Sequence, residues 1–251
     1  MVHAAHASHI GSAFSIADIV AVLYANFVDV EQVKNNDKER TRIILSKGHA
    51  GAAIYAALAE TGIIDKSELQ TYGVVGSNLS CHISHKVEGV EVSTGSLGQG
   101  VGMAAGIALA GKKAGRNYKT FVIVGDGECN EGSVWEMISF ARHQKLNRLT
   151  MIIDCNGLQA LGKTAEILNL SDLAEKLRAF DWNVQSVDGH NHAELKTALL
   201  MEDSDRPTCI IAKTVKGKGV SFMENNNLWH YRDPQGADYD NAVAELERQR
   251  P

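Results

Sequence analysis

The chain has 251 residues, 44% of them hydrophobic and 22% charged, with a formal net charge of −5, which suits one large α/β domain or a tight pair. No basic field argues for nucleic acid or an anionic membrane surface, no apolar run approaches the roughly 20 residues of a membrane span, and no signal-peptide core follows Met1. Cys81, Cys129, Cys155 and Cys209 form neither a CxxC pair nor a zinc spacing, so the expectation is reduced thiols in a cytosol.

Residues 1–6 read as the end of a helix and residues 8–12 as a turn. Ser15 is then expected to cap a helix, with Asp18 at N3 completing a capping-box-like arrangement. Ile16, Ile19, Val20, Leu23 and Phe27 recur at helical spacing, so this helix docks on a core. A charged loop over residues 35–41 leads to a short strand over 42–46, then Lys47-Gly48-His49-Ala50 and an alanine-rich helix. His49 thereby falls at a strand-to-helix junction, the edge where open α/β sheets bind ligands, and an imidazole there can donate to a phosphate oxygen. Residues 71–88 are irregular; His82 and His85 stand three apart, but no acidic or cysteine partner gives them a transition-metal spacing. Residues 89–111 form a glycine-rich loop, TGSLGQG, that runs into a helix of small residues, which lets backbone approach a ligand or a facing helix.

The stretch over residues 121–159 organises the rest. Phe121-Val122-Ile123-Val124 reads as a buried strand that breaks at Gly125-Asp126-Gly127. A helix with Trp135, Met137, Ile138, Ala141 and Leu146 on its apolar face leads to a second buried run, residues 149–153, and then to Asp154-Cys155-Asn156-Gly157. In a right-handed βαβ unit both turns lie at the carboxyl edge of the sheet, so Asp126 and Asn156 can converge. A carboxylate and an amide oxygen are hard ligands that suit Mg²⁺ bound together with substrate phosphates. Beyond this stretch, a loop at 161–163, a helix over 168–178, a strand over 182–187 ending in Asp188-Gly189-His190, a helix over 193–201 and a last buried strand over 208–212 are expected. Lys213, Lys216 and Lys218 follow, either solvated or reaching the site, and Asn225 to Asn227 suggest a segment that orders on binding. Alternating strands and helices, with no repeat and no composition shift, predict one doubly wound, mostly parallel sheet with helices on both faces, residues 1–251.

GDG at Gly125–Gly127, EG at Glu131-Gly132, WE at Trp135-Glu136 and Asn156 together resemble the thiamine-diphosphate motif in its transketolase form. HIGSAFSIADIVAVLY, SKGHA, TGSLGQG and KTVKGKGVSFMEN with the later WH extend the resemblance over most of the chain. It implies the pyrophosphate-binding domain of a thiamine-diphosphate enzyme, with Asp126, Asn156 and the Leu158 carbonyl holding Mg²⁺, or Ca²⁺ or Mn²⁺ in its place. It implies that Gly127 and Glu128 lie by the diphosphate and that Gly95, Ser96 and Leu97 lie against the cofactor. Many family members have proline where this chain has Ser96. His9, His49, His82 and His230 would line the channel to the thiazolium ring and help move protons, His49 and His230 also contacting the cofactor. Glu131 would join a carboxylate relay at a subunit interface, and the small-residue helix would pack at that interface. Family members usually carry another helix before Met1.

A whole transketolase carries two further domains that supply the aminopyrimidine contacts and most sugar-phosphate contacts. The resemblance therefore implies the N-terminal subunit of a split transketolase, working with a C-terminal partner chain in a two-plus-two heterotetramer. That pair would transfer a two-carbon ketol unit from a ketose to an aldose. Three alternatives stand: the alpha chain of a 2-oxo-acid dehydrogenase, a 1-deoxyxylulose-5-phosphate synthase-like chain, and a non-catalytic binding subunit that keeps only the fold.

Overall fold

The computed structural model describes residues 1–250. Five strands, β1 (Arg42–Leu45), β2 (Thr120–Gly125), β3 (Leu149–Cys155), β4 (Asn183–Asp188) and β5 (Thr208–Lys213), form one sheet in the order β1-β2-β3-β5-β4. Every neighbouring pair is parallel, so "mostly parallel" sharpens to wholly parallel among the described residues. The helices are α1 (Ile10–Ser15), α2 (Ala17–Phe27), α3 (Val30–Lys34), α4 (Gly51–Glu60), α5 (Gln99–Lys113), α6 (Gly132–His143), α7 (Thr164–Ile167), α8 (Leu173–Ala179), α9 (His192–Leu200) and α10 (Ala237–Arg248).

The strand residues alternate between two cores, as the two-residue period of a pleated strand requires. Phe121, Ile123, Ile152 and Ile210 point into one, which also takes the apolar faces of α2, α4 and α9. Val122, Val124, Met151, Ile153 and Ile211 point into the other, under α5, α6 and α8. Burial on both faces explains why these strands read as unbroken apolar runs. Helices thus cover both faces, and all carboxyl ends share one edge.

Residues 1–6 form turns rather than the end of a helix, α1 begins at Ile10 inside the expected 8–12 turn, and three further local expectations fail for physical reasons. Ser15 does not cap α2: that helix starts from Ile16 with no side-chain cap, and Ser15 is fully buried and donates to Asp154 Oδ1 at 2.7 Å. Asp18 turns outward to His190 and His192. The helix expected over 168–178 begins only at Leu173, where the Asp172 side chain accepts from Glu175 N; Leu168 is extended. Leu146 lies beyond the end of α6 yet is buried, reaching its core from the following turn.

Candidate active site

The carboxyl ends of β1, β2, β3 and β5 border a cleft of about 360 Å³. Into it project His9, His49, His82, His230, Gly95, Leu97, Asp126, Gly127, Glu128, Glu131, Asn156 and Leu158, which is every residue expected at the site except Ser96. Ser96 is exposed on the outer side of the glycine-rich loop. That loop is fixed without a proline: Thr94 Oγ1 donates to Leu45 O at 2.5 Å, Ser133 Oγ to Gly98 O at 2.8 Å, and Gly98 N to Glu128 Oε1 at 2.8 Å. Gly98 has φ +78°, and a Cβ there would stand 2.4 Å from Ser133 Oγ, so only glycine fits the corner. A larger hollow of about 500 Å³ lies between α2 and α4, but alanine and other apolar side chains make up most of its wall, with Tyr24, Glu60 and Thr61 the polar residues among them.

Asp126 starts the 3-10 turn Gly127–Asn130 at the tip of β2. Its Oδ1 accepts from Gly127 N at 2.8 Å; its Oδ2 accepts from Gly157 N at 2.7 Å and Thr164 Oγ1 at 3.2 Å. The two turns are thereby tied together. Burial pushes the Asp126 carboxyl upward, Gly157 N–H pulls it back, and the charge of Asp154 adds to the rise. Asn156 donates Nδ2 to Ser15 Oγ and to Asp154 Oδ2, both at 3.0 Å, and its Oδ1 accepts from Leu158 N at 3.0 Å. The amide is thus oriented by its neighbours, with its oxygen on the Leu158 side. Glu128 lines the cleft, but its carboxylate is held by Ser46 Oγ at 2.5 Å, Gly98 N at 2.8 Å and Gly125 N at 3.1 Å. It braces three backbone segments around the floor. Glu131 is exposed at the rim.

The imidazoles of His9, His49 and His230 crowd together, with ring centroids 5.1 to 5.5 Å apart, and His82 lies 5.5 Å from His9. His85 turns away to Ser93 Oγ at 2.8 Å. Burial first, then neighbouring cationic groups, lowers the His9 pKa to about 4 and that of His230 to about 3, and takes His49 well below the usual range. At neutral pH all three are neutral and can each both donate and accept. His9 adopts φ 75°, a left-handed conformation that costs a non-glycine residue about 1 kcal/mol or more and is held by His9 N donating to His230 O at 2.8 Å.

Two lysines complete the site: Lys47, which the sequence does not single out, and Lys216, one of the three lysines that the sequence leaves between solvent and site. Lys47, 2% exposed, and Asp154, fully buried, form an ion pair. Asp154 also accepts from Ser15, Asn156 and Thr214, so one carboxylate joins the ends of α1, β1, β3 and β5. Lys216, 1% exposed, donates Nζ to His230 Nδ1 at 2.9 Å and to Asn227 Oδ1 at 3.2 Å. Burial, with Lys47 adding repulsion, lowers its pKa to about 8. Lys213 and Lys218 are exposed, so of the three lysines only Lys216 reaches the site. The asparagine segment packs against the site: Asn225 N donates to Lys216 O at 2.9 Å and Asn227 Nδ2 to Ala160 O at 2.8 Å.

Four buried polar side-chain atoms lack a partner among the described residues, and three of them, His9 Nδ1, Asn130 Oδ1 and Gln159 Nε2, belong to residues that line this cleft. Unpaired donors and acceptors cost free energy unless something polar arrives to satisfy them. With the cationic Lys216 and the oxygens of Asp126 and Asn156, they fit an anionic, oxygen-rich ligand held with a hard cation. No group of three or more His, Cys, Asp or Glu among the described residues makes a metal site by itself, so a cation there would share its ligands with backbone, amide and bound ligand.

Comparison with known proteins agrees with that chemistry. The family model described as "Transketolase, thiamine diphosphate binding domain" matches residues 1–246. The chain is 37% identical over 248 residues to one of the subunits of the apulose-4-phosphate transketolase of Phocaeicola vulgatus, covering 98% of this chain and 88% of that protein. It is 38% identical over 244 residues to the 6-deoxy-6-sulfo-D-fructose transketolase subunit SqwG of a Clostridium species, covering 96% and 89%. Its fold matches the transketolase of Leishmania mexicana with a TM-score of 0.90 at 26% identity, covering 98% of this chain but 39% of that one. The chain thus spans most of the length of separate transketolase subunits and about two-fifths of a one-chain transketolase. It belongs to the transketolase family, as the thiamine-diphosphate-binding domain.

Proposed function

We propose that this chain is the N-terminal subunit of a split transketolase and that, with a separate C-terminal chain, it transfers a two-carbon ketol unit from a ketose to an aldose. The observation that carries the reading is the match in length to proteins named as transketolase subunits, against two-fifths of a one-chain enzyme. Residues 1–251 make one domain in this reading, and the four free cysteines support a cytoplasmic setting.

Bound thiamine diphosphate supplies the nucleophilic carbon and the electron sink that ketol transfer needs. Asp126, Asn156 and the Leu158 carbonyl would hold Mg²⁺, or Ca²⁺ or Mn²⁺ in its place, against the diphosphate. Lys216 would add positive charge, and the Gly95 to Leu97 backbone would face the cofactor. The neutral imidazoles of His9, His49 and His230, with the His82 ring beside His9, would orient sugar hydroxyls and relay protons. His230 has one defined tautomer: Lys216 Nζ can only donate to Nδ1, so the ring proton sits on Nε2. Glu131, exposed at the rim, would work across a subunit boundary.

The test is an assay with donor ketose, acceptor aldose, thiamine diphosphate and Mg²⁺, run with this chain, with its C-terminal partner, and with both. Ketol transfer is expected only from the mixture. Full turnover from this chain alone would overturn the split-subunit reading.

A further inference from the structure

Lys216 owes its place to the backbone on either side of it. Thr214 N donates to Cys155 O at 3.2 Å, and Gly217 N to Gly11 O at 3.0 Å. Between them, Val215 N donates at 2.8 Å to a side chain, His190 Nε2. His190 stands between β4 and α9, 13% exposed at its side chain, and its Nδ1 lies 2.7 Å from Asp18 Oδ2 on α2. The other Asp18 oxygen meets His192 Nε2 at 2.6 Å.

The donors decide the protonation. A backbone N–H cannot accept, so His190 Nε2 carries no proton; the ring proton is on Nδ1 and is donated to Asp18. This also excludes a metal at the His190–Asp18–His192 cluster, because a metal on Nδ1 would leave a neutral imidazole needing its proton on Nε2, where Val215 already donates. The two histidines at the ends of this chain of contacts are therefore held in opposite tautomers: His190 with its proton on Nδ1, His230 with its proton on Nε2.

We propose that His190, oriented by Asp18, is a positioning residue for the Lys216–His230 pair: it fixes Val215 and so delivers the lysine that sets the His230 tautomer. Neither His190 nor Asp18 borders the cleft. The catalytic consequence rests on the transketolase reading; the geometric one does not.

Two isosteric substitutions separate the two bonds of the ring. His190→Asn keeps a donor where Nδ1 stood, toward Asp18, and removes the acceptor for Val215 N. His190→Gln keeps an acceptor where Nε2 stood. The first readout is the ¹⁵N and ¹H pattern of the His230 ring in the ¹⁵N-histidine-labelled full chain, assigned with His230→Gln. His190→Asn should move His230 from the single Nε2–H tautomer to a mixture, and His190→Gln should leave it unchanged. In the mixed two-chain enzyme, His190→Asn should lower kcat about tenfold with KM for the donor little changed, and His190→Gln should restore most of it. An unchanged His230 pattern in His190→Asn, or equal disturbance by both variants, would overturn the proposal. The spectroscopic arm needs neither cofactor nor partner, so absence of ketol transfer in the mixture would count against the functional reading alone.

Discussion

Asp126 has three hydrogen-bond donors on its carboxylate and still faces the cleft, the arrangement of a ligand whose orientation is fixed before anything binds. We predict that Asp126→Ala weakens thiamine diphosphate binding by more than about 100-fold and abolishes its dependence on Mg²⁺, read by calorimetry with and without chelator. Tight binding by this variant in chelator would sink the metal assignment. The histidines carry a second prediction. His9 and His230 titrate near 4 and 3 in the fold, against an ordinary 6.5. As pH falls below 6.5 the unfolded chain takes up protons that the folded chain refuses, so this contribution is whole above that value and is lost progressively toward the folded values. Denaturant midpoints should therefore drop between pH 7 and pH 5, and the double variant His9→Asn, His230→Gln should drop less. Identical slopes would show that these rings ionise freely in the fold.

The strand ends are joined at Asp154, where donors from α1, β1, β3 and β5 converge. Removing one partner of a buried ion pair leaves the other uncompensated, so Asp154→Ala should cost about 3–5 kcal/mol of stability in denaturant unfolding. A loss near zero would mean that Lys47 finds water. This hub also marks where the sequence stops being legible. The strands could be read because each is an apolar, β-branched run, and Asp126 and Asn156 because each follows such a run at a turn. Ser15 looked like a cap because capping is judged from the next three residues, whereas its partner lies 139 positions away. Lys47 draws no reading of its own in the sequence and Lys216 stays open between solvent and site, since only the packed sheet edge buries them. The glycine-rich loop could be read as close approach, but that Glu128 would hold it to the β2 turn depended on contacts the sequence does not display.

At the scale of the molecule, α5 and α6 leave Met103 and Phe140 about two-fifths exposed, and Gly102 and Gly106 have nothing near the position of a Cβ. We expect this chain to pair with a second copy through these helices and the heterotetramer to grow from that pair, with an obligate interface above about 2,000 Å². Light scattering should give a dimer for the chain alone and a monomer for Met103→Glu; a dimer that survives the substitution would move the interface elsewhere. The contact of His9 N with His230 O has a consequence in time. His9 and His230 lie far apart along the chain, so one wall of the cleft is synthesised well before the other. At roughly 5–20 residues per second the early histidine waits on the order of ten to forty seconds for its counterpart. Until then a nascent chain offers an incomplete cleft, with His9 in place and His230 not yet made. A partner that recognises the closed cleft face can dock only once the His230 segment has been made and folded against His9.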